Sequence, residues 1–370
     1  MGPSYLSLLG KGGPNPIIIR HIHEMRALRA AFDLHLGRPS RVGFVPTMGA
    51  LHSGHTGLLS HAHKSGCDFT VASIFVNPTQ FAPHEDLSRY PRTWDADVAA
   101  LAAQGCSAIF SPSAAEMYPP GAPFSTFVSP RGVDEGTPEG SARPGFFRGV
   151  ATVVLKLLGI VAPTEAWFGQ KDGVQCIVVR NLVRDLNVNT KIHIGATARA
   201  SDGLALSSRN AYLSPLQRAS AGGIYASLCA AKAYFQEEGA GGTRGPSGLP
   251  RPAQLDAAAI ERLAQSAAFG AAEGAFATSG SLEPLLQRTR DVFCSGIAAI
   301  PAFSSVEYCE FSDASTGQRV TRLSDSRARN GAVMMSVVAR MGSLRLLDNI
   351  MLVGELDDLG VGAVSAGEKV

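Results

Sequence analysis

The sequence predicts an α/β fold: a Rossmann-like parallel sheet with helices on both faces, followed by a smaller α+β C-terminal domain. Three observations predict it. Short apolar runs rich in β-branched and aromatic residues alternate with stretches of helical spacing, a pattern that implies right-handed crossovers and parallel pairing. Two of those runs lead at once into polar segments carrying Gly with His or Lys, and open α/β sheets bind their ligands at the carboxyl ends of strands. After Ser214-Pro215, a helix start signal, the composition turns Ala-rich, which marks a boundary. The expected organisation is a lead-in and first helix over 1–40, the Rossmann-like domain over 41–213 and the C-terminal domain over 214–370.

His21–Leu36 places Ile22, Met25, Leu28, Ala31 and Phe32 close to helical spacing, so a helix leads into the first core strand, Arg41–Pro46. Val71–Val76 reads as a second buried strand, and Ala108–Phe110 as a third after a helix over Asp95–Ala103. Gly149–Ile160 carries Val150, Val153, Val154, Leu157 and Leu158 on one face with Lys156 opposite, an amphipathic helix expected to end near Gly159. Ala166–Phe168 and Lys191–Ile194 are further strands around a helix over Val174–Leu186. A helix follows Ser214-Pro215 and runs through Phe235. Glu237–Pro252, with five Gly and three Pro, reads as a flexible surface insertion, and Ala267–Gly280, poor in large apolar residues, as a second. Ser305–Phe311 and Gly331–Leu347 regain strand-like alternation, and no internal repeat is visible.

The 370 residues are 45% apolar and 17% charged with a mean hydropathy of +0.09, as in a soluble globular protein. A formal charge of +2 offers no field for a nucleic-acid backbone, so any anion site is local. Cysteines at 67, 106, 176, 229, 294 and 309 form no CxxC pair and no tight Cys/His cluster, so neither a zinc site nor a disulfide framework is indicated, which fits a reduced compartment. No apolar run reaches the ~18–20 residues of a membrane span, and Met1–Leu9 lacks the layout of a secretory signal. The expected location is cytoplasmic, with Met1–Pro16 (no acidic residue, Ser4, Ser7, Lys11, but no Arg) as a weak alternative leader.

Three constellations carry chemistry. The first, Thr47-Met48-Gly49-Ala50-Leu51-His52-Ser53-Gly54-His55, joins the end of a strand to the start of a helix. Free N–H groups at a helix N-terminus suit anions, the glycines permit close backbone approach, and two histidines three apart meet one triphosphate at adjacent points. The second, Gly169-Gln170-Lys171-Asp172 with Gln175 beyond it, supplies a cation for a phosphoryl group, a carboxylate for a ribose hydroxyl and a neutral amide for an organic substrate. The third, Asp202-Gly203-Leu204-Ala205-Leu206-Ser207-Ser208-Arg209-Asn210, sets two hydroxyls beside a guanidinium, donors suited to phosphate oxygens. Each alone has an ordinary explanation: solvated or core histidines, a polar turn, a helix-capping serine. Three phosphate-suited loops on one sheet are a different matter.

V-P-T-M-G-A-L-H-S-G-H (45–55), F-V-N-P-T-Q-F (75–81), Y-P-R-T (90–93), F-G-Q-K-D (168–172) and D-G-L-A-L-S-S-R-N (202–210), in this order, resemble the pantoate–β-alanine ligase (pantothenate synthetase) family. That family lies within the wider H-x-G-H nucleotidyltransferase superfamily, which shares the H-x-G-H element with class I aminoacyl-tRNA synthetases. The resemblance is close over about 41–216 and resumes at Leu346-Leu347-Asp348-Asn349. It implies ATP-dependent condensation of pantoate with β-alanine to pantothenate, AMP and diphosphate through a pantoyl-adenylate, with Mg²⁺, in a homodimer that binds neither nucleic acid nor membrane.

Carried over residue by residue, the resemblance implies that His52 and His55 contact the ATP phosphates, with His55 the proton donor. Met48 and Gly49 line the nucleotide pocket together with Ala198 and Leu206. Lys171, Ser207, Ser208 and Arg209 bind phosphates, and Gly169 and Asp172 lie nearer the nucleoside. Gln80 and Gln175 hold pantoate, Asn77 lies on the second-substrate side and Asp97 helps bind Mg²⁺. The chemistry agrees: adenylation needs cations on the departing pyrophosphate and neutral amides around a small hydroxy acid, and no covalent nucleophile. The chain departs from the family pattern at Phe146, where R-P-G-H-F is usual, and at Gln170, Ala200 and Ala96, where acidic residues are common. Two alternatives are a nucleotidyltransferase of the same superfamily acting on a different small acceptor and a catalytically silent nucleotide-binding module. Gln80 and Gln175, where a phosphorylated acceptor calls for cations, argue against the first, and the complete phosphate-ligand set argues against the second.

Overall fold

Six strands pair side by side, all parallel, in the order β1-β4-β3-β2-β5-β6: β1 (Ile17–Ile19), β2 (Val42–Thr47), β3 (Phe69–Ile74), β4 (Ala108–Phe110), β5 (Glu165–Gly169) and β6 (Lys191–Gly195). The computed structural model describes residues 15–82, 85–121, 124–133, 136–239, 282–320, 332–354 and 356. Most of the Gly/Pro-rich insertion at 237–252, the segment 267–280 and most of the Met1–Pro16 lead-in lie outside the described residues. The described chain divides into two units: Met1–Gly169 with Val178–Gly195, and Gln170–Ile177 with Ala196–Val370.

In the first unit the strands alternate their side chains between two faces. Val45, Ala72, Ile109 and Trp167 share one face and pack with Leu58, Leu59 and Ala62 of α2 (Ser53–Lys64) and Leu101 of α3 (Trp94–Ala103). Phe44, Val71, Phe110 and Phe168, of the opposite parity, are also buried. On that side lie α1 (Ile22–Leu36), whose Phe32 ring sits 4.6 Å from that of Phe69, and α6 (Phe146–Val161), which packs against α1 and β2. Two short helices, α4 (Ala114–Met117) and α5 (Pro138–Ala142), lie between β4 and α6 in the chain. The parallel sheet covered by helices is the expected class.

Three differences from the expected elements have local causes. The edge strand β1 spans three residues, too few to show a period. Helix α6 does not stop near Gly159, where an added Cβ would meet open space, but continues to Val161. It ends when Ala162 turns left-handed (φ 47°) before Pro163, which cannot extend a helix. The helix expected from Pro215 to Phe235 is two, α8 (Pro215–Ala221) and α9 (Gly223–Gly239). They break at Gly222, where any Cβ would strike the carbonyl of Asp202.

The second unit centres on an antiparallel sheet, β7 (Ser305–Asp313), β8 (Val333–Met341) and β9 (Leu344–Val353), in that order. The alternation read over Gly331–Leu347 is thus parts of two strands joined at Gly342, whose φ is +63°. Leu228 and Phe235 of α9 and Phe293 and Ile297 of α10 (Leu282–Ala298) bury against Phe311, Met335, Val337 and Ile350. The turn Gln170–Asp172 and the first residues of α7 (Gly173–Asp185) belong to this unit. Among the described residues no helix is long and apolar enough to cross a membrane.

Candidate functional site

Strand β2 has β3 on one side and β5 on the other, so the strand order reverses there. Such a switch point leaves a crevice at the carboxyl ends of the two strands, which here are Thr47 and Gly169. The first and second constellations start at those two residues. Thr47 is locked in place by donating its hydroxyl to the Ser73 carbonyl at 2.5 Å while accepting the Gly49 N–H at 3.2 Å.

The chain then turns through the left-handed region at Gly49 (φ +84°) and Ala50 (φ +50°). A Cβ at Gly49 would lie 3.0 Å from Asp97 Oδ2 and 3.1 Å from Ile74 Cγ2, so the close approach requires glycine. Left-handed backbone at a non-glycine costs of order 1–3 kcal/mol and persists only where the surroundings hold it. Asp97 is the holder. Its Oδ2 accepts the Ala50 N–H at 2.9 Å, and its Oδ1 accepts the Leu51 N–H at 2.8 Å and the Thr93 hydroxyl at 3.1 Å.

Protein donors thus occupy the carboxylate expected for magnesium. At 3% exposure, with three protein donors on its oxygens, the carboxylate does not fit a metal ligand, since Mg²⁺ demands open octahedral oxygen coordination. No group of three or more His, Cys, Asp or Glu able to hold a metal occurs among the described residues.

His52 is the N-cap of α2, extended at φ −134°, and His55 is three residues inside. Their rings lie 4.1 Å apart. The His52 N–H donates to His55 Nδ1 at 3.4 Å. A ring that accepts at Nδ1 carries its neutral-state proton on Nε2, so the distal nitrogen of His55 is the donor. Both rings are half-buried at the positive end of a 12-residue helix.

Gln80 ends the single-turn 3-10 helix Pro78–Gln80, capped by Asn77. The resemblance sets Asn77 beside substrate, but it is 1% exposed and its polar atoms are spent on the protein. Its Nδ2 donates to Gln80 Oε1 at 3.0 Å and to the Gly149 carbonyl at 3.3 Å, and its Oδ1 accepts from Tyr118 at 2.9 Å and Thr79 at 3.0 Å. Asn77 therefore orients Gln80: with Oε1 fixed, the Gln80 amide nitrogen is turned toward Met48, its Nε2 lying 3.4 Å from the sulfur. Gly149 of α6 matters equally, because a Cβ there would strike the Thr79 carbonyl. Arg143 braces the same turn through the Gln80 carbonyl at 3.3 Å and pairs with Glu85 at 2.5 Å. Phe146, at the position where the family has a polar ring, stacks 3.7 Å from the Arg143 guanidinium.

In the second unit Lys171 sits on the 3-10 turn Gln170–Asp172, its Nζ 3.1 Å from Asp172 Oδ1, with Gln175 half-buried on the first turn of α7. Residues 198–206 form a small hairpin in which the Leu206 N–H donates to the Ala198 carbonyl at 2.9 Å. That pairing brings together the two positions assigned to the nucleotide. The outgoing arm delivers Ser207, whose hydroxyl caps the 3-10 segment Ser208–Tyr212 by accepting the Arg209 N–H at 3.3 Å. Ser207 is thus a cap as well as a phosphate candidate. Burial pushes the Cys106 and Cys309 thiols up to about 12, which keeps these two protonated at neutral pH.

Sequence reasoning missed Gly149, Arg143, Arg199 and Asn349. Gly149, Arg143 and Asn349 meet backbone far away in the chain, and Arg199 has its distant partner in the Asp348 side chain, so no spacing announces them.

A family profile described as pantoate-beta-alanine ligase matches residues 17–351. A pantothenate synthetase of Chloroflexus aggregans is 52% identical over 225 residues, 60% of this chain and 77% of the relative. The crystal structure of pantothenate synthetase from Thermus thermophilus aligns with a TM-score of 0.69 at 34% identity, covering 91% of this chain and 100% of its own. A pantoate-beta-alanine ligase from Francisella tularensis, complexed with beta-gamma ATP and beta-alanine, aligns with a TM-score of 0.60 at 27% identity over 92% of this chain and 100% of its own.

Proposed function

The chain belongs to the pantoate–β-alanine ligase family, and from that premise we propose how its residues divide the work of making pantothenate. The reaction is ATP-dependent. A carboxylate oxygen of pantoate attacks the α-phosphorus of ATP, the bond to the β-phosphate breaks and pyrophosphate leaves. The β-alanine amine then attacks the acyl carbon of the pantoyl-adenylate, AMP departs, and the amine gives up a proton to leave the amide. The observation that carries the residue assignments is the H-x-G-H helix N-terminus rising from β2, at the switch point where the strand order reverses.

His52 and His55 serve the phosphates, His55 through Nε2–H, and Met48 and Gly49 line the nucleotide. Lys171, Ser208 and Arg209, with the Ser207 cap, take up the charge that leaves with pyrophosphate, where preorganised donors count most. Gly169, Asp172, Ala198 and Leu206 lie along the nucleoside. Gln80 and Gln175 hold pantoate by neutral amides, which recognise its hydroxyls without competing for its carboxylate. Asn77 and Asp97 are positioning residues, for Gln80 and for the Gly49–Leu51 turn.

Mg²⁺ would enter with ATP and offset its phosphate charge; no step passes through Asp97. Family membership is also the ground for proposing a homodimer in the cytoplasm. The test is pyrophosphate release from the full-length protein. With ATP and pantoate alone, release of about one equivalent per active site is expected, followed by turnover when β-alanine is added. Release that ignores pantoate in a folded sample refutes the assignment.

A further inference from the structure

We propose that Asp348 and Asn349, neighbours on β9, are positioning residues for the ligation: one dipeptide holds the backbone of the Lys171 turn and, through Arg199, the hairpin that leads into Ser207–Arg209. The inference rests on the reading that those two segments serve ATP. Successive side chains of a strand leave it in opposite directions, so two adjacent residues reach two different loops.

Asn349 takes the first. Its side-chain nitrogen donates to the carbonyls of Gln170 and Lys171, 2.8 Å each, so both amide hydrogens clasp one turn. Its Oδ1 lies 3.5 Å from Gln170 Nε2. Immediately after that turn, a Cβ at Gly173 would strike Met334, so the backbone is pressed flat against the sheet. Asp348 takes the second loop. Its oxygens accept both terminal nitrogens of Arg199, at 2.6 and 2.9 Å, and its Oδ1 also accepts the Asn349 N–H at 2.8 Å. Arg199 in turn donates to the Gly203 carbonyl at 3.0 Å and stacks 3.7 Å from the Tyr225 ring. This fastens the hairpin whose outgoing arm ends at Ser207.

Asp348 and Asn349 are each 1% exposed. A buried ion pair or amide rarely stabilises more than apolar residues of the same volume, because desolvation offsets the attraction. Its return is a specified backbone geometry. Misplacing a charge by about an ångström costs an enzyme on the order of 100-fold.

The test is a double-variant cycle in the full-length protein, read by single-turnover pyrophosphate release and by the KM for ATP. Asn349→Ala is expected to lower kcat/KM for ATP by about 10- to 100-fold while leaving the KM for β-alanine unchanged. Because Asn349 acts through Lys171, combining Asn349→Ala with Lys171→Ala should cost little beyond Lys171→Ala alone. Fully multiplicative losses would overturn the inference, as would a fall in kcat with an unchanged ATP KM that merely tracks the folded fraction. Lys171→Ala with unaltered ATP kinetics would instead sink the underlying reading, and the inference with it. If Asn349→Ala does not fold, Asn349→Ser is put through the same cycle. Asp348→Asn with Arg209→Ala forms a second cycle, in which the same non-additivity is expected.

Discussion

Lys171→Ala is expected to slow formation of pantoyl-adenylate by about 100- to 1,000-fold, the usual loss when one preorganised donor is removed from developing charge. The fold should survive. Among the described residues Lys171 has one ionic partner, the largely exposed Asp172 at 3.1 Å, and exposed pairs contribute about 0–1 kcal/mol. The turn that carries the lysine is held through its backbone by Asn349, which the substitution leaves in place. The loss should appear in the single-turnover rate at saturating ATP, because the charge is needed most as pyrophosphate departs. Lys171→Arg keeps the charge but replaces a compact ammonium with a wide fork, and partial recovery is expected. A thermal melt alongside quenched single-turnover kinetics decides it: a normal rate in Lys171→Ala removes the lysine from the chemistry.

His55 has two nitrogens with two tasks, and two variants separate them. His55→Asn keeps an acceptor near the His52 N–H, which His55 Nδ1 meets at 3.4 Å, but loses the distal donor. His55→Gln places an amide N–H near the distal position and loses the near acceptor. If the Nε2–H acts on the reacting phosphate, His55→Asn should fall by about 100- to 10,000-fold in adenylation, the range for a positioned proton donor. His55→Gln should retain more of the rate, and the thermal stabilities should rank the other way. Asn faster than Gln in adenylation would mean that His55 serves mainly as a cap for α2.

The alternation of apolar runs with helical spacing made the parallel sheet legible, because both periods are written in consecutive residues. The three loops proposed to meet ligand stand out in the sequence because they sit on short ordered motifs. The sequence is least informative where a residue's partner is distant. Asp97 stands where a metal-binding carboxylate was expected, yet its task is set by Ala50 and Leu51, 47 and 46 residues earlier. Asn77 looks like a ligand-facing amide until Gly149 and Tyr118 arrive to use up its polar atoms. Asn349 lies 179 residues from Gln170, and no local pattern encodes that contact. The break at Gly222 likewise records the approach of Asp202 rather than a weakness of the helix itself. Motifs named the groups proposed to meet ligand, while the residues that hold their segments in place became visible only through their hydrogen bonds.

The central claim is that pantoate is activated on the α-phosphorus of ATP. Tracking oxygen tests it most directly. With pantoate labelled in its carboxylate by ¹⁸O, attack on the α-phosphorus followed by amide formation must leave one labelled oxygen on the phosphate of AMP and none in pyrophosphate. That distribution, read by mass spectrometry of the products of the full reaction, is the predicted result. Label appearing in inorganic phosphate, with ADP as the nucleotide product, would place the attack on the γ-phosphorus and contradict the account.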